Sequence, residues 1–252
     1  MSGTEIEILW KLLQDTEFDF SVCSVKRFSD GEMTCAEEVL QDYSEANTHI
    51  ISNTEYIRMQ FDRQTEFGVW NKLFRRELFE QIQFAEGKIH EDVIFSADML
   101  QCMRKNIVCT DAQLYYYRQR NGSIVSENSK KSSADRVFAG EYLLKAVKTV
   151  CPEYSERAYK YAIEYSWMFV DAIYVNRTFR DNQLFLKALQ KYLRKYIEEY
   201  KENRIFSEIQ RKRMELFAKS GFLYGFNAYS RLIRVYLYRI LGKDAYKDGH
   251  GI

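Results

Sequence analysis

A chain of 252 residues can build one large domain or two modest ones, and 46% hydrophobic against 29% charged residues is the balance of a globular protein with a core. A formal net charge of +1 argues against a whole-protein field for nucleic acid or membrane, and no apolar run approaches the roughly 20 residues needed to span a bilayer. Five cysteines without CxxC spacing and three histidines without metal-ligand spacing speak against zinc and for reduced thiols in a cytoplasmic protein. The opening MSGTEIEILW has no basic stretch of the kind that starts a secretory signal.

Ser2 and Thr4 are followed three residues later by Glu5 and Glu7 in capping-box fashion, and Ile6, Leu9, Trp10 and Leu13 recur at helical spacing. This predicts an amphipathic helix to about Asp15. Asp19 to Phe28 alternates apolar and polar residues and reads as a strand, closed by the turn signal Asp30-Gly31. Residues 32–53 read mostly as loop, with room for a short helix at 36–40. Asn53 or Thr54 can cap a helix through about Phe61. Val69 to Phe74 suits a strand or a helix entry, Arg76 to Gln81 a short helix, and Phe84 to His90 a loop turning at Gly87. Asp92 to Arg104 carries Val93, Phe95, Ala97, Leu100 and Met103 around a helical cylinder. Ile107 to Arg120 is β-rich and ends at the turn Asn121-Gly122.

The Ser-rich stretch SENSKKSS marks the expected boundary near residue 130. Beyond it four helical segments are expected, over about 133–150, 153–177, 181–202 and 206–241. From Arg204 to Asp248 basic residues exceed acidic ones ten to four. Two readings stand there: a helix packed on its domain with charges reaching solvent, and contact with an anionic membrane surface. The apolar positions encircle the last segment rather than stripe it, which favours the first. No nucleic-acid motif is present.

Three ordered segments, VWNKLFRRELF, FAEGKIHEDVIF and LYYYRQRNGSIV, resemble the second half of family-2 glycosyltransferases of the bacterial capsule and exopolysaccharide type. The resemblance covers residues 4 to about 127 and extends loosely through the helical tail. It implies a fold class of α/β, a partial GT-A-like mixed sheet with helices over residues 1–129, followed by an all-α region over 130–252. It implies inverting transfer of a sugar from a nucleoside-diphosphate sugar to a glycan or lipid-linked acceptor hydroxyl, at the inner face of the membrane if that acceptor is lipid-linked. Asp92 matches the family's catalytic base and Glu91 its acidic neighbour. Arg118 and Arg120 match the diphosphate-side region, with Ser123 closing the same segment. Trp70, with Asn71 and Lys72 in its triplet, and Tyr117 offer flat apolar faces of the kind that suit sugar rings.

In that family an Asp-x-Asp segment holding a metal directly precedes the helix that here opens at Ser2, and no such segment is found in this chain. The expectation is therefore an acceptor-side and catalytic-base part, inactive alone. A divalent metal, Mg or Mn, is expected for the complete family enzyme and none for this chain by itself. The alternative is a non-catalytic module that pairs with a separate donor-binding chain. Each residue also has a plainer role. Acids in a first helical turn complement the helix dipole, Trp70 can be a core aromatic, Asn71 can bond its own turn, Lys72 can serve either phosphate or packing, and strand arginines two apart share a solvated face.

Overall fold

The computed structural model describes residues 3–29, 46–119, 134–202 and 204–240. They divide into two compact units, Met1–Lys131 with Tyr142–Ala158, and Ser132–Glu141 with Tyr159–Ile252. The first is a small mixed α/β sheet with helices; the second is helical. The short helix expected at 36–40, the turn at Asn121-Gly122 and the SENSKKSS stretch lie outside the described residues.

In the first unit, helix α1 (Gly3–Leu13) leads into strand β1 (Phe20–Ser29). Strand β2 (Thr48–Ile51) and helix α2 (Asn53–Phe61) follow, then β3 (Lys72–Phe74), a 3-10 turn at Arg76–Glu80, helix α3 (Glu91–Cys102) and β4 (Ile107–Gln119). The strands lie in the order β2-β4-β1-β3. β1 and β4 run parallel, while β3 and β2 run antiparallel to their neighbours. Strand β2 corrects the expected loop over 32–53. Four residues, THII, are too short to show a period, and only pairing with β4 makes them a strand.

Alternation along β1 assigns the two faces of the sheet. Ser21 and Cys23 face α1, where the Ser21 hydroxyl donates to Leu9 O at 2.8 Å and Ile8, Leu9, Cys23, Ala112 and Leu114 form one buried cluster. The expected apolar stripe of α1 is corrected here. Leu9 and Leu13 are buried, but the other inward residues are Glu5 and Ile8, while Ile6 (46%) and Trp10 (53%) are exposed. Thr4 lies inside the helix rather than at its cap, and Glu7 pairs with Lys11 instead. Phe20 and Val22 face the other way. Phe20 packs on Tyr56 of α2 and on Phe74, Phe74 on Phe95 of α3, and Phe84 stacks on Phe95 at 4.6 Å. The cap of α2 is Ser52, one residue before the expected pair; its Oγ accepts from Glu55 N.

Two charged side chains tie the elements together. Buried Asp19 accepts from Arg104 N and Lys105 N, both at 2.9 Å, joining the end of α3 to the start of β1. Arg75, just past β3, donates to the carbonyls of Leu13, Thr16 and Phe18. These bonds pin the end of α1 at Leu13 and the turn that follows it to β3.

The remaining helices are α4 (Ala134–Val150), α5 (Ser155–Val175), α6 (Gln183–Tyr196), α7 (Glu208–Lys219) and α8 (Gly221–Ile240), with a 3-10 turn at Pro152–Tyr154. The single last segment expected at 206–241 is two helices. Ser220 takes extended backbone angles, donates its N–H to Leu216 O to end α7, and accepts from Leu223 N and Tyr224 N to begin α8. In the second unit Tyr159 stacks on Tyr200 at 4.4 Å and on Tyr192 at 5.8 Å.

Candidate functional site

Parallel β1 and β4 bring their carboxyl ends to the same edge of the sheet, beside the start of β3, and ligands bind at such edges in open α/β sheets. The sequence places most of its distinctive residues there. The β1–β4 register slips between Cys23 and Val25, so that Cys23 faces Thr110 but Val25 faces Tyr115. Asn71 braces that irregularity. Its side-chain amide donates to Cys23 O at 2.6 Å, and its own carbonyl accepts from Cys23 N at 3.1 Å. At 1% exposure it belongs to the framework, bonding another strand rather than its own turn.

Lys72 is also inward, at 6% exposure. Its ammonium donates to Glu66 O and Asn71 Oδ1, each at 2.9 Å, and to Gly68 O. Three acceptors meet three protons, all within the protein. Burial pulls the amine down to about 7. Gly68 leaves room for more than this bond. A Cβ there would lie 2.3 Å from Trp70 Nε1, so the missing side chain is what lets the indole lie against the loop.

Half-buried Trp70 lies 4.4 Å from Tyr115 and 5.2 Å from Tyr117, ring centre to ring centre. Arg27 stands 5.1 Å over the Tyr117 ring and pairs with Glu66. The result is an aromatic patch with one guanidinium at its margin. Alternation from Tyr115 onward places Arg118 with Tyr116 on the opposite face, where Lys26 and Phe28 also meet Tyr116. Arg118 is exposed and is not brought to Trp70. Arg120 and Ser123 lie outside the described residues.

Glu91 and Asp92 open α3 after His90, whose left-handed backbone (φ 69°) turns the chain in. Glu91 is exposed and Asp92 half-buried. Asp92 Oδ1 accepts from Val93 N at 2.8 Å. Burial raises the Asp92 carboxyl above the ordinary range, the charge of Glu91 adding to this, while the Val93 N–H and the Lys72 charge pull it back. Asp92 and Lys72 are thus within electrostatic reach of one another. Ser96 Oγ donates to Phe67 O at 3.1 Å and holds α3 to the loop that carries Trp70.

The structure thus gathers Asp92, Lys72, Asn71, Trp70 and Tyr117 around one loop, residues 66–72. It adds Arg27 and Tyr115, and from α1 the charge of Glu5 reaches Tyr115. Glu5 is 2% exposed, burial raises its carboxyl to about 7, and its charge acts on both Cys23 and Tyr115. Reading Glu5 as a capping partner hid it; the apolar neighbours Ile8 and Leu9 on its side of the helix were the available signal. No group of three or more His, Cys, Asp or Glu side chains that could hold a metal gathers among the described residues.

These features define an α/β sheet edge that joins a half-buried carboxylate to an aromatic patch. The chain is 28% identical over 123 residues to the glycosyltransferase GlyA of Streptococcus pneumoniae serotype 4, a match that covers 47% of this chain and 17% of that protein. It is therefore related to a glycosyltransferase, of which it spans about a sixth. No protein-family model matches the chain.

Proposed function

We infer that the first unit is the acceptor-side part of an inverting, family-2-type sugar transferase with a GT-A-like sheet, acting in surface polysaccharide synthesis. The observation that carries this reading is the convergence of Asp92 and the Trp70–Tyr115–Tyr117 patch on the loop at 66–72. The patch offers apolar ring faces to a saccharide. Asp92 takes the proton of the acceptor hydroxyl. The oxygen attacks the anomeric carbon, the bond to the diphosphate breaks, and the diphosphate leaves with the electron pair, inverting that carbon. A carboxyl raised by burial is a stronger base than a free one, and the Lys72 charge favours its ionised form. The donor, a nucleoside-diphosphate sugar, and a glycan or lipid-linked acceptor are the substrates this reading requires.

In a preparation that turns over such a donor, alone or joined to a donor-binding segment, Asp92→Asn lowers turnover by about 100-fold or more, with the melting temperature held within a few degrees. Unchanged turnover in a folded Asp92→Asn chain would contradict the assignment. A second reading, a non-catalytic module that pairs with a separate donor-binding chain, draws support from Ile6 and Trp10. They form an i, i+4 apolar pair exposed on α1. On that reading Asp92→Asn changes nothing, while Trp10→Ser weakens the pairing.

A further inference from the structure

Helix α8 is apolar on two sides, and only one of them is covered. Tyr224 (0%) and Ala228 (3%) are buried. Tyr224 packs edge-on against Phe217 of α7 and Trp167 and Tyr174 of α5. Gly221 and Gly225 let the helix settle onto Tyr174: a Cβ at Gly221 would meet its hydroxyl at 2.3 Å, and one at Gly225 its ring at 2.5 Å. Across the helix, Phe222 (83%), Phe226 (73%), Tyr229 (46%) and Ile233 (49%) are exposed. Their spacing of four, three and four residues keeps them within about 60° of arc at 100° per residue. Large apolar side chains gathered on one exposed side, unlike ones scattered singly, mark a surface that is covered.

Charge says what the cover is. From Gly221 to Ile240 the helix has no acidic residue, and of its arginines Arg231 turns to the covered side, where it pairs with Asp171 at 3.1 Å. Across residues 204–240 basic side chains outnumber acidic ones eight to two. Arg177, turned out by its left-handed backbone (φ 57°), stands 5.9 Å over the Tyr229 ring at the edge of the stripe. Arg180 and Lys219 are exposed. An acid-free apolar stripe with the exposed Arg177 at its edge matches a surface that is apolar beneath and negative on top. No helix among the described residues is long and apolar enough to cross a membrane. We propose that α8 lies flat on an anionic lipid surface, with Phe222, Phe226, Tyr229 and Ile233 among the acyl chains and Arg177 among the headgroups.

This does not rest on the transferase reading and is tested without activity. The full chain is co-sedimented with phosphatidylcholine vesicles and with vesicles that also contain phosphatidylglycerol. The expected result is retention on the phosphatidylglycerol vesicles, weakened by salt, and lowered about tenfold or more in Phe222→Ser/Phe226→Ser. Both positions are solvent-facing, and circular dichroism checks that the variant keeps its helices. Arg177→Gln, which leaves the apolar stripe intact, should weaken the phosphatidylglycerol-dependent part of the binding alone. A wild-type chain that stays in the supernatant overturns the proposal, as does a folded double variant that binds equally. A concentration-dependent dimer in sedimentation velocity, abolished by the double variant, would also overturn it by making the face a contact between copies.

Discussion

Lys72 and Glu5 are buried ionisable side chains, and each can be tested alone. Lys72→Met keeps the aliphatic stem but strips a partner from Glu66 O, Gly68 O and Asn71 Oδ1 at once. Buried groups left unbonded cost about 1–3 kcal/mol each before relaxation, so a loss of about 2–4 kcal/mol in urea unfolding is expected. A loss below about 1 kcal/mol would show that the loop at 66–72 is not held by this amine. Glu5 acts through pH. Burial raises its folded pKa from the usual 4.5 to about 7, so between those values the folded chain holds a proton that the unfolded chain has released. Stability from this group is fully present below about pH 4.5 and is lost as pH rises to about 7, by about 3 kcal/mol. The urea midpoint of Glu5→Gln should therefore lack that fall, and parallel curves for the two proteins would refute the assignment.

At the scale of elements, packing at Gly225 overrides local propensity. Alanine is a better helix former than glycine by about 1 kcal/mol. Yet Gly225→Ala in α8 should destabilise by about 1–3 kcal/mol, because its Cβ would sit 2.5 Å from Tyr174 Cδ1. The ring cannot step aside, since Phe217 and Tyr224 pack on it. A thermal melt that rises in Gly225→Ala would contradict this packing. The main elements were legible because their periods are long. Helix α3 and strands β1 and β4 lie within a residue or two of where alternation and helical spacing put them. What stayed hidden was set by neighbours. β2 exists through β4, the break at Ser220 through one residue that ends one helix and begins the next, and the role of Asn71 through an irregularity between two other strands. The faces of α1 were misread for a related reason. Ile6 and Trp10 have the more apolar side chains, but a helix turns Glu5 inward with Ile8 and Leu9.

For the molecule as a whole, a net charge of +1 hides an uneven distribution. The sheet unit holds the carboxylate and the aromatic patch, and the helical unit carries the basic surplus. The apolar encirclement of α8 was visible in its residues, but which side is covered follows only from its packing on Tyr174 and Phe217. Of the site, the Trp70 and Asp92 segments were legible as ordered motifs. Which side of β4 Arg118 takes, and that Tyr115 rather than Tyr116 meets Trp70, depend on register with β1. The relation to a known glycosyltransferase agrees with the resemblance of those motifs without fixing a substrate. The central claim is that a saccharide rests on the Trp70 patch beside Asp92. Titrating the nitrogen-15-labelled chain with acceptor saccharides tests it most directly. Three indole signals report separately, and exposed Trp10 serves as an internal control. The account predicts a saturable shift of the Trp70 indole, lost in Tyr117→Ala, with Trp10 and Trp167 unmoved. Shifts confined to Trp10 or Trp167, or none at any saccharide tested, would contradict it.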